Sequence, residues 1–301
     1  MKGTLQFDYT AVGHVTVDVL ADGTRRPGGS AFYSALQAAR LGRRTLILTQ
    51  GVPGEIERML EPYRDELELR VLPARRTTTF ETSGWGPTRA QHVLAWAGPI
   101  ERDLKLDTAI LHLAPVAREI PGHWRARGAF VGLTPQGAIR DWSAASGRVS
   151  LVHPARAVEQ MAARCDALVL SRHERPHCET LIERACDGGA VVAITAEWRP
   201  TTLLKAGASS LEVEVPVVAE LVDDLGAGDV FAAAFFVALE AGGAPASAAA
   251  FATAAAAVRM QSAGAAAVGR TDAIEARLRS VAAGGGLRAR LTLPGRSRSG
   301  G

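Results

Sequence analysis

Lysine is almost missing from this chain. Lys2, Lys105 and Lys205 are the only three, against 34 lysines and arginines together. Four of the arginines, Arg288, Arg290, Arg296 and Arg298, fall in residues 284–301, a stretch without an acidic residue. Setting that stretch aside takes the net charge of +3 close to neutrality. A flexible basic tail therefore accounts for the basic pI, and no nucleic-acid partner is implied. Cysteine is scarce as well. Cys165, Cys178 and Cys186 are odd in number and contain no C-x-x-C pair, which excludes a disulfide framework and points to a reducing cytoplasm. No apolar run follows a basic start, so no secretory signal is expected. The alanine-rich region 231–260 is interrupted by Glu240, Gly242-Gly243 and Pro245. It reads as two short helices packed in a core rather than as a membrane span.

What is present is a chain of 301 residues with 47% hydrophobic side chains, enough for one large α/β domain or two small ones. Its most informative stretch is Val222-Asp223-Asp224-Leu225-Gly226-Ala227-Gly228-Asp229. Residues 211–215 before it alternate as a strand does, and residues 231–240 after it carry an apolar stripe on a good helix former. The Gly-Ala-Gly-Asp segment thus sits where a loop turns into a helix. Glycines there let a ligand approach the backbone, the first-turn N–H groups lack intrahelical partners, and the helix dipole adds positive potential. Together these make an anion site suited to a phosphate. Asp229 at its mouth reads either as a plain helix-start acid or as a general base for a hydroxyl proton.

Earlier in the chain, residues 9–13 read as a first strand, and residues 15–26 as a hairpin turning at Asp22-Gly23. Asp18 lies just past the first strand's end, where open parallel sheets collect ligands. Gly28-Gly29 opens a helix that closes on Leu41-Gly42. Residues 77–94 form a second hairpin with a Gly/Pro turn. Strands then alternate with helices through 109–115, 130–135, 165–170 and 190–195. His173, His177 and Cys178 have metal-ligand chemistry, but no further ligand pair stands near them.

The sequence Asp223-Asp224-Leu225-Gly226-Ala227-Gly228-Asp229 resembles the Asp-Thr-x-Gly-Ala-Gly-Asp signature of the ribokinase-like, or PfkB, carbohydrate kinases, with Asp224 in the place of threonine. Gly28-Gly29 followed by Tyr33 resembles that family's Gly-Gly-x-x-x-Asn, with tyrosine for asparagine. Ser171-Arg172-His173-Glu174 resembles Asn-x-x-Glu. Gly-Gly-Ser-Ala-Phe and residues 134–140 are similar to the branch containing myo-inositol kinases. Residues 195–200 depart from the family's Thr-x-Gly-x-x-Gly: Thr195 is kept and neither glycine is. The similarity runs from residue 8 to about 280 with the motifs in family order.

The resemblance implies a three-layer αβα sandwich with a mostly parallel sheet and a small β lid. It implies a kinase domain over residues 1–283, with lid strands around 15–26 and 77–94, followed by the flexible basic tail of residues 284–301. It also implies an ATP-dependent phosphotransferase acting on a hydroxyl of a sugar or cyclitol. Asp229 would be the base, with Gly226, Ala227 and Gly228 forming the anion hole. Asp18, Gly28, Gly29, Tyr33, Arg89 and Gln136 would meet the acceptor. Ser171, Thr195, Asp223, Gly226, Gly228 and Gly264 would line the donor site, and Glu174 with Asp223 would organise Mg²⁺. A monovalent cation is compatible with the resemblance. A nucleoside kinase, or a non-catalytic binding relative with a degenerate nucleotide site, shares the same motifs. The expected protein is cytoplasmic, a monomer or homodimer, and acts on a small molecule without a nucleic-acid or membrane partner.

Overall fold

The computed structural model describes residues 6–84, 89–101, 106–121, 124, 129–216, 218, 220–283 and 290–291. In chain order it forms β1 (Phe7–Val12), β2 (Thr16–Val19), β3 (Arg25–Gly28), α1 (Ser30–Arg40), β4 (Thr45–Gly51), α2 (Pro53–Leu60), β5 (Glu68–Pro73), β6 (Thr79–Ser83), β7 (Ala90–Ala95), β8 (Thr108–Leu113) and β9 (Phe130–Leu133). There follow β10 (Arg140–Trp142), β11 (Val149–Leu151), α3 (Arg156–Ala162), β12 (Ala167–Ser171), α4 (Arg175–Asp187), β13 (Val191–Ala196), β14 (Arg199–Leu204), β15 (Leu211–Val213), α5 (Ala227–Glu240), α6 (Pro245–Arg259), α7 (Thr271–Ala283) and β16 (Arg290–Leu291).

Ten strands make one sheet in the order β16-β15-β14-β13-β12-β9-β8-β1-β4-β5. From β13 to β5 every pairing is parallel, and the last three strands extend the sheet antiparallel. While the edge strand β5 exposes Glu68, Arg70 and Pro73, the inner parallel strands have water on neither face. Their sequences are accordingly continuous apolar runs, such as Leu46-Ile47-Leu48 and Leu168-Val169-Leu170. One face is covered by α1, α5, α6 and α7 around Phe32, Phe231, Phe235 and Phe236, and the other by α3 and α4 around Met161, Leu181 and Ile182. Each fully buried phenylalanine contributes roughly 1.5–3 kcal/mol of transfer free energy. The alanine-rich region is α5 followed by α6, two helices whose small side chains let them pack closely, as expected; among the described residues no helix is long and apolar enough to cross a membrane.

A second sheet, in the order β3-β2-β6-β7, stands beside the C-terminal ends of the parallel strands. β2 pairs antiparallel with β3 and parallel with β6, so Asp18 is flanked in register by Arg26 and Phe80. The hairpin β10-β11 reaches β7 through a bridge between His92 and Arg148. Three expectations need adjusting. Gly28 ends β3 instead of opening the helix, which starts after Gly29. The turn of the second hairpin, residues 85–88, lies outside the described residues. Within the stretch read as a flexible tail, Arg290-Leu291 pairs with Leu211-Glu212 as β16, because β15 otherwise ends the sheet with open backbone groups; the rest of 284–301 lies outside the described residues.

Gly132 in β9 faces α5 with no room to spare. A Cβ there would lie 2.4 Å from the Phe236 ring. Gly132→Ala should therefore cost about 1–3 kcal/mol through overpacking, read as a lower urea midpoint at unchanged slope.

Candidate active site

Gly226 sets where α5 begins. It is the N-cap, in the left-handed region at φ 80°, ψ 0°. A Cβ on it would come within 2.4 Å of the Tyr33 ring. Both facts demand glycine. The helix then starts at Ala227 and places Asp229 in its first turn. Tyr33 comes from α1, whose own N-terminus at Ser30 faces the same space. Two helix starts thus converge there, each adding positive potential.

Between these helix starts and the small sheet lies a cavity. Of the residues expected to matter, it gathers Asp18, Gly29, Tyr33, Arg89, Gln136, Gly226, Gly228 and Asp229. Gly28 lies just behind: a Cβ on it would sit 2.1 Å from Asp18 Oδ2, so only glycine leaves that carboxylate its place. Thr16 donates to Asp18 Oδ1 at 2.8 Å. Burial raises the Asp18 carboxyl above its usual pKa, while Thr16, Arg26, Arg140 and Arg89 pull it back.

Asp229 is pushed up to about 6, chiefly by burial; the Ser30 hydroxyl and Arg140 oppose the rise, and Glu174 and Asp18 add to it. A carboxyl tuned this way is half-ready to take a proton near neutral pH.

Other cavity residues had no assigned role in the sequence reading. Arg140, buried, donates from Nη1 to Val116 O at 3.0 Å and from Nη2 to Gln91 Oε1 at 2.8 Å, with its guanidinium 5.5 Å from the Phe80 ring centroid. Ser30, Gln91 and Asp224 also line the cavity. Arg140 closes the segment 134–140, so a cation just past a strand end was the available signal. Asp224, which replaces the family's threonine, forms an ion pair with Arg89. Arg89 therefore reaches the cavity with its charge already matched.

The donor-side residues are more dispersed. None of Ser171, Glu174, Thr195, Asp223 and Gly264 lines this cavity. Glu174 is buried, and its Oε2 accepts from Ser171 N at 2.8 Å and Ser171 Oγ at 2.9 Å, tying β12 to the start of α4. Thr195 is in register with Ser171 at the C-terminal end of β13. Past it, Ala196 pairs with Arg199 around a tight turn of Glu197, at φ 57°, and Trp198, which is 75% exposed.

Asp223 does not share a cation with Glu174. Its Oδ1 accepts from Leu225 N at 3.0 Å and Arg26 Nη2 at 3.3 Å. Its Oδ2 accepts from Arg26 Nη1, Arg259 Nη2 and Gly264 N, each at 3.0 Å. Burial alone would raise this carboxyl, but the N–H groups of Gly264 and Leu225 and the Arg259 guanidinium outweigh it and hold the pKa at about 2. The same bond commits Gly264 N to Asp223. Tyr33 is likewise not simply an acceptor contact: its ring is packed against Gly226 on one side and lies 5.2 Å from the Arg259 guanidinium. Among the described residues no group of three His, Cys, Asp or Glu is placed to hold a metal. Cys178 is buried, with its thiol pushed up to about 12 by burial. One buried carboxylate, Glu174, with donor oxygens and water does suit the hard, water-retaining Mg²⁺.

The fold is that of the ribokinase family. A nucleoside kinase from Methanocaldococcus jannaschii superposes with a TM-score of 0.72 at 16% identity, covering 92% of this chain and 100% of that one. A pyrophosphate-dependent myo-inositol kinase, in a form converted from 1-kinase to 3-kinase by two substitutions, superposes at 0.68 with 20% identity, covering 89% and 98%. The Arabidopsis thaliana ribokinase, complexed with ribose and ATP, does so at 0.67 with 17% identity, covering 91% and 99%. No curated protein matches by sequence. Residues 146–272 match the family described as pfkB family carbohydrate kinase.

The raised Asp229 pKa has a consequence for stability that is independent of any reaction. A carboxyl whose folded pKa exceeds its unfolded value favours folding below the unfolded value, and that contribution is lost as pH rises through the folded one. Ionised Asp229 thus destabilises the protein above pH about 6. Asp229→Asn should be more stable than the parent at pH 8 by roughly 1–3 kcal/mol, with the gain shrinking as pH falls from 6 toward 4. Urea unfolding at both ends of that range is the check.

Proposed function

We propose that the protein transfers a phosphoryl group to a hydroxyl of a small polyol, a sugar or a cyclitol. The observation that carries this reading is the half-buried Asp229 at the first turn of α5, in one cavity with Asp18, Gln136 and Arg140. Asp18 accepts hydrogen bonds from neighbouring hydroxyls of the acceptor, and Gln91 and Gln136 supply neutral donors and acceptors along its rim. Asp229 takes the proton of the attacking hydroxyl. The N–H groups of Gly228 and Asp229 face the charge that develops on the moving phosphoryl group, whereas Ala227 N, expected to join them, donates to Asp224 O at 3.2 Å. Mg²⁺, when bound through Glu174 and water, would neutralise donor oxygens. The family and the ATP-complexed ribokinase neighbour support ATP as donor.

One feature favours a second donor. The tight turn at Glu197-Trp198 has no glycine pair to bed a nucleotide, and the pyrophosphate-dependent kinase has the same fold. Inorganic pyrophosphate needs the anion hole but no base-binding surface. A nucleoside acceptor is a less natural fit, because the cavity walls are mostly hydrogen-bonding groups, with few flat apolar surfaces for a base. A binding relative without catalysis is disfavoured by the presence of Asp229 beside an intact helix start.

The purified protein should be offered ATP or pyrophosphate with Mg²⁺ and a panel of sugars, inositols and nucleosides, with phosphate ester formation as readout. The expected result is one productive pairing whose rate falls by about 10²–10⁴-fold in Asp229→Asn. Its kcat/KM should decline on acidification with a midpoint near 6, as Asp229 becomes protonated. Turnover that survives Asp229→Asn would remove Asp229 from the role of base.

A further inference from the structure

Three oxygens converge beside the anion-hole loop: Asp223 Oδ2, the main-chain carbonyl of Asp223 and that of Ser262. Arg259 meets all three, donating from Nη2 to Asp223 Oδ2 at 3.0 Å and from Nη1 to Asp223 O at 3.3 Å and Ser262 O at 3.0 Å. A carboxylate and two carbonyls drawn from two loops are a hard oxygen donor set of the kind metal cations use. Here a fully buried guanidinium fills it. Asp223 has no capacity left over. A carboxylate offers about four lone-pair sites, and this one already accepts from Leu225 N, Gly264 N, Arg26 and Arg259.

We propose that Arg259 is the resident cation of the anion-hole loop, and that the protein therefore works without activation by an alkali metal ion. This rests on the phosphoryl-transfer reading above. It also answers the compatibility with a monovalent cation noted from sequence: the oxygens that could hold one beside this loop are occupied.

The charge arithmetic favours this role. Asp223 lies between two guanidiniums, Arg26 and Arg259. One positive charge remains after neutralisation, next to Leu225 and the start of α5. It adds to the helix dipole where a phosphoryl group would sit. Arg259 also acts on shape. It is the last residue of α6, and the carbonyl of Met260, the next residue, accepts from Val222 N and Asp223 N at 2.9 and 3.3 Å. Its guanidinium faces the Tyr33 ring on which Gly226 rests. Arg259 is thus a positioning residue: it touches neither reactant and holds the loop that does.

The test needs the full chain only. Thermal midpoint and initial rate are measured in potassium, sodium, caesium and tetramethylammonium chloride at fixed ionic strength. The expected result is no cation preference in either readout, with rates agreeing within about twofold. A saturable rise in midpoint or rate with one alkali ion overturns the proposal. The midpoint is read without turnover, so this arm stands even if no acceptor is found, and failure here is distinguishable from failure of the kinase reading.

Arg259→Met keeps most of the side-chain volume and removes the charge. It should lower kcat by tenfold or more, of the order seen on losing an electrostatic contact to the transition state, with acceptor KM changed less than about threefold. Millimolar guanidinium or potassium should restore part of the midpoint and the rate, and tetramethylammonium should not. A variant as active as the parent overturns the role. If this variant does not fold, the cation series on the parent protein decides.

Discussion

A glycine resting on an aromatic ring determines the geometry of this site. Gly226 adopts a left-handed conformation that other residues reach only with strain, and the Tyr33 ring occupies the space a side chain would need. The ring is held in turn by the core beneath it, through Phe32 and α1, and by the Arg259 guanidinium. Where α5 starts, which N–H groups point into the cavity and where Asp229 stands all follow from that contact. The family's asparagine at position 33 would be a short polar group reaching the acceptor. Here a large ring builds the floor under the loop.

The carboxylates around the loop differ because their surroundings do. Asp223 accepts hydrogen bonds at both oxygens and has two guanidiniums, so it is ionised at any ordinary pH. Asp229, with fewer donors around it, is pushed up to about 6. Asp224 pairs with Arg89 beside the small sheet. Three acids within seven residues thus differ in charge state and partners, and the surrounding donors decide how.

Much of this was legible in the chain itself. Apolar runs of four to six residues marked the parallel strands, Gly-Ala-Gly-Asp between an alternating segment and an apolar helix marked the anion site, and Gly42 marked the end of α1 at φ 83°. What remained hidden depends on partners distant in sequence. Arg26 and Asp223 are 197 positions apart, and Arg89 and Asp224 are 135 apart. No local pattern says that Asp223 is saturated by arginines, so it read as a free metal ligand. The β13-β14 turn was visible only as two missing glycines. Arg140 is one arginine among many until the fold buries it.

The small sheet is attached at two consecutive residues to the loop that leads into α5. Arg26, from β3, grips Asp223; Arg89, at the entry to β7, grips Asp224. Movement of that sheet away from the cavity must pull on the backbone leading into α5. Lid position and anion-hole shape are then one mechanical variable. On the phosphoryl-transfer reading proposed above, an acceptor that seats this sheet well would also set the N–H groups that face the phosphoryl group, whereas a loosely fitting one would leave them slack. Selectivity in such a linkage is expressed as rate as well as affinity.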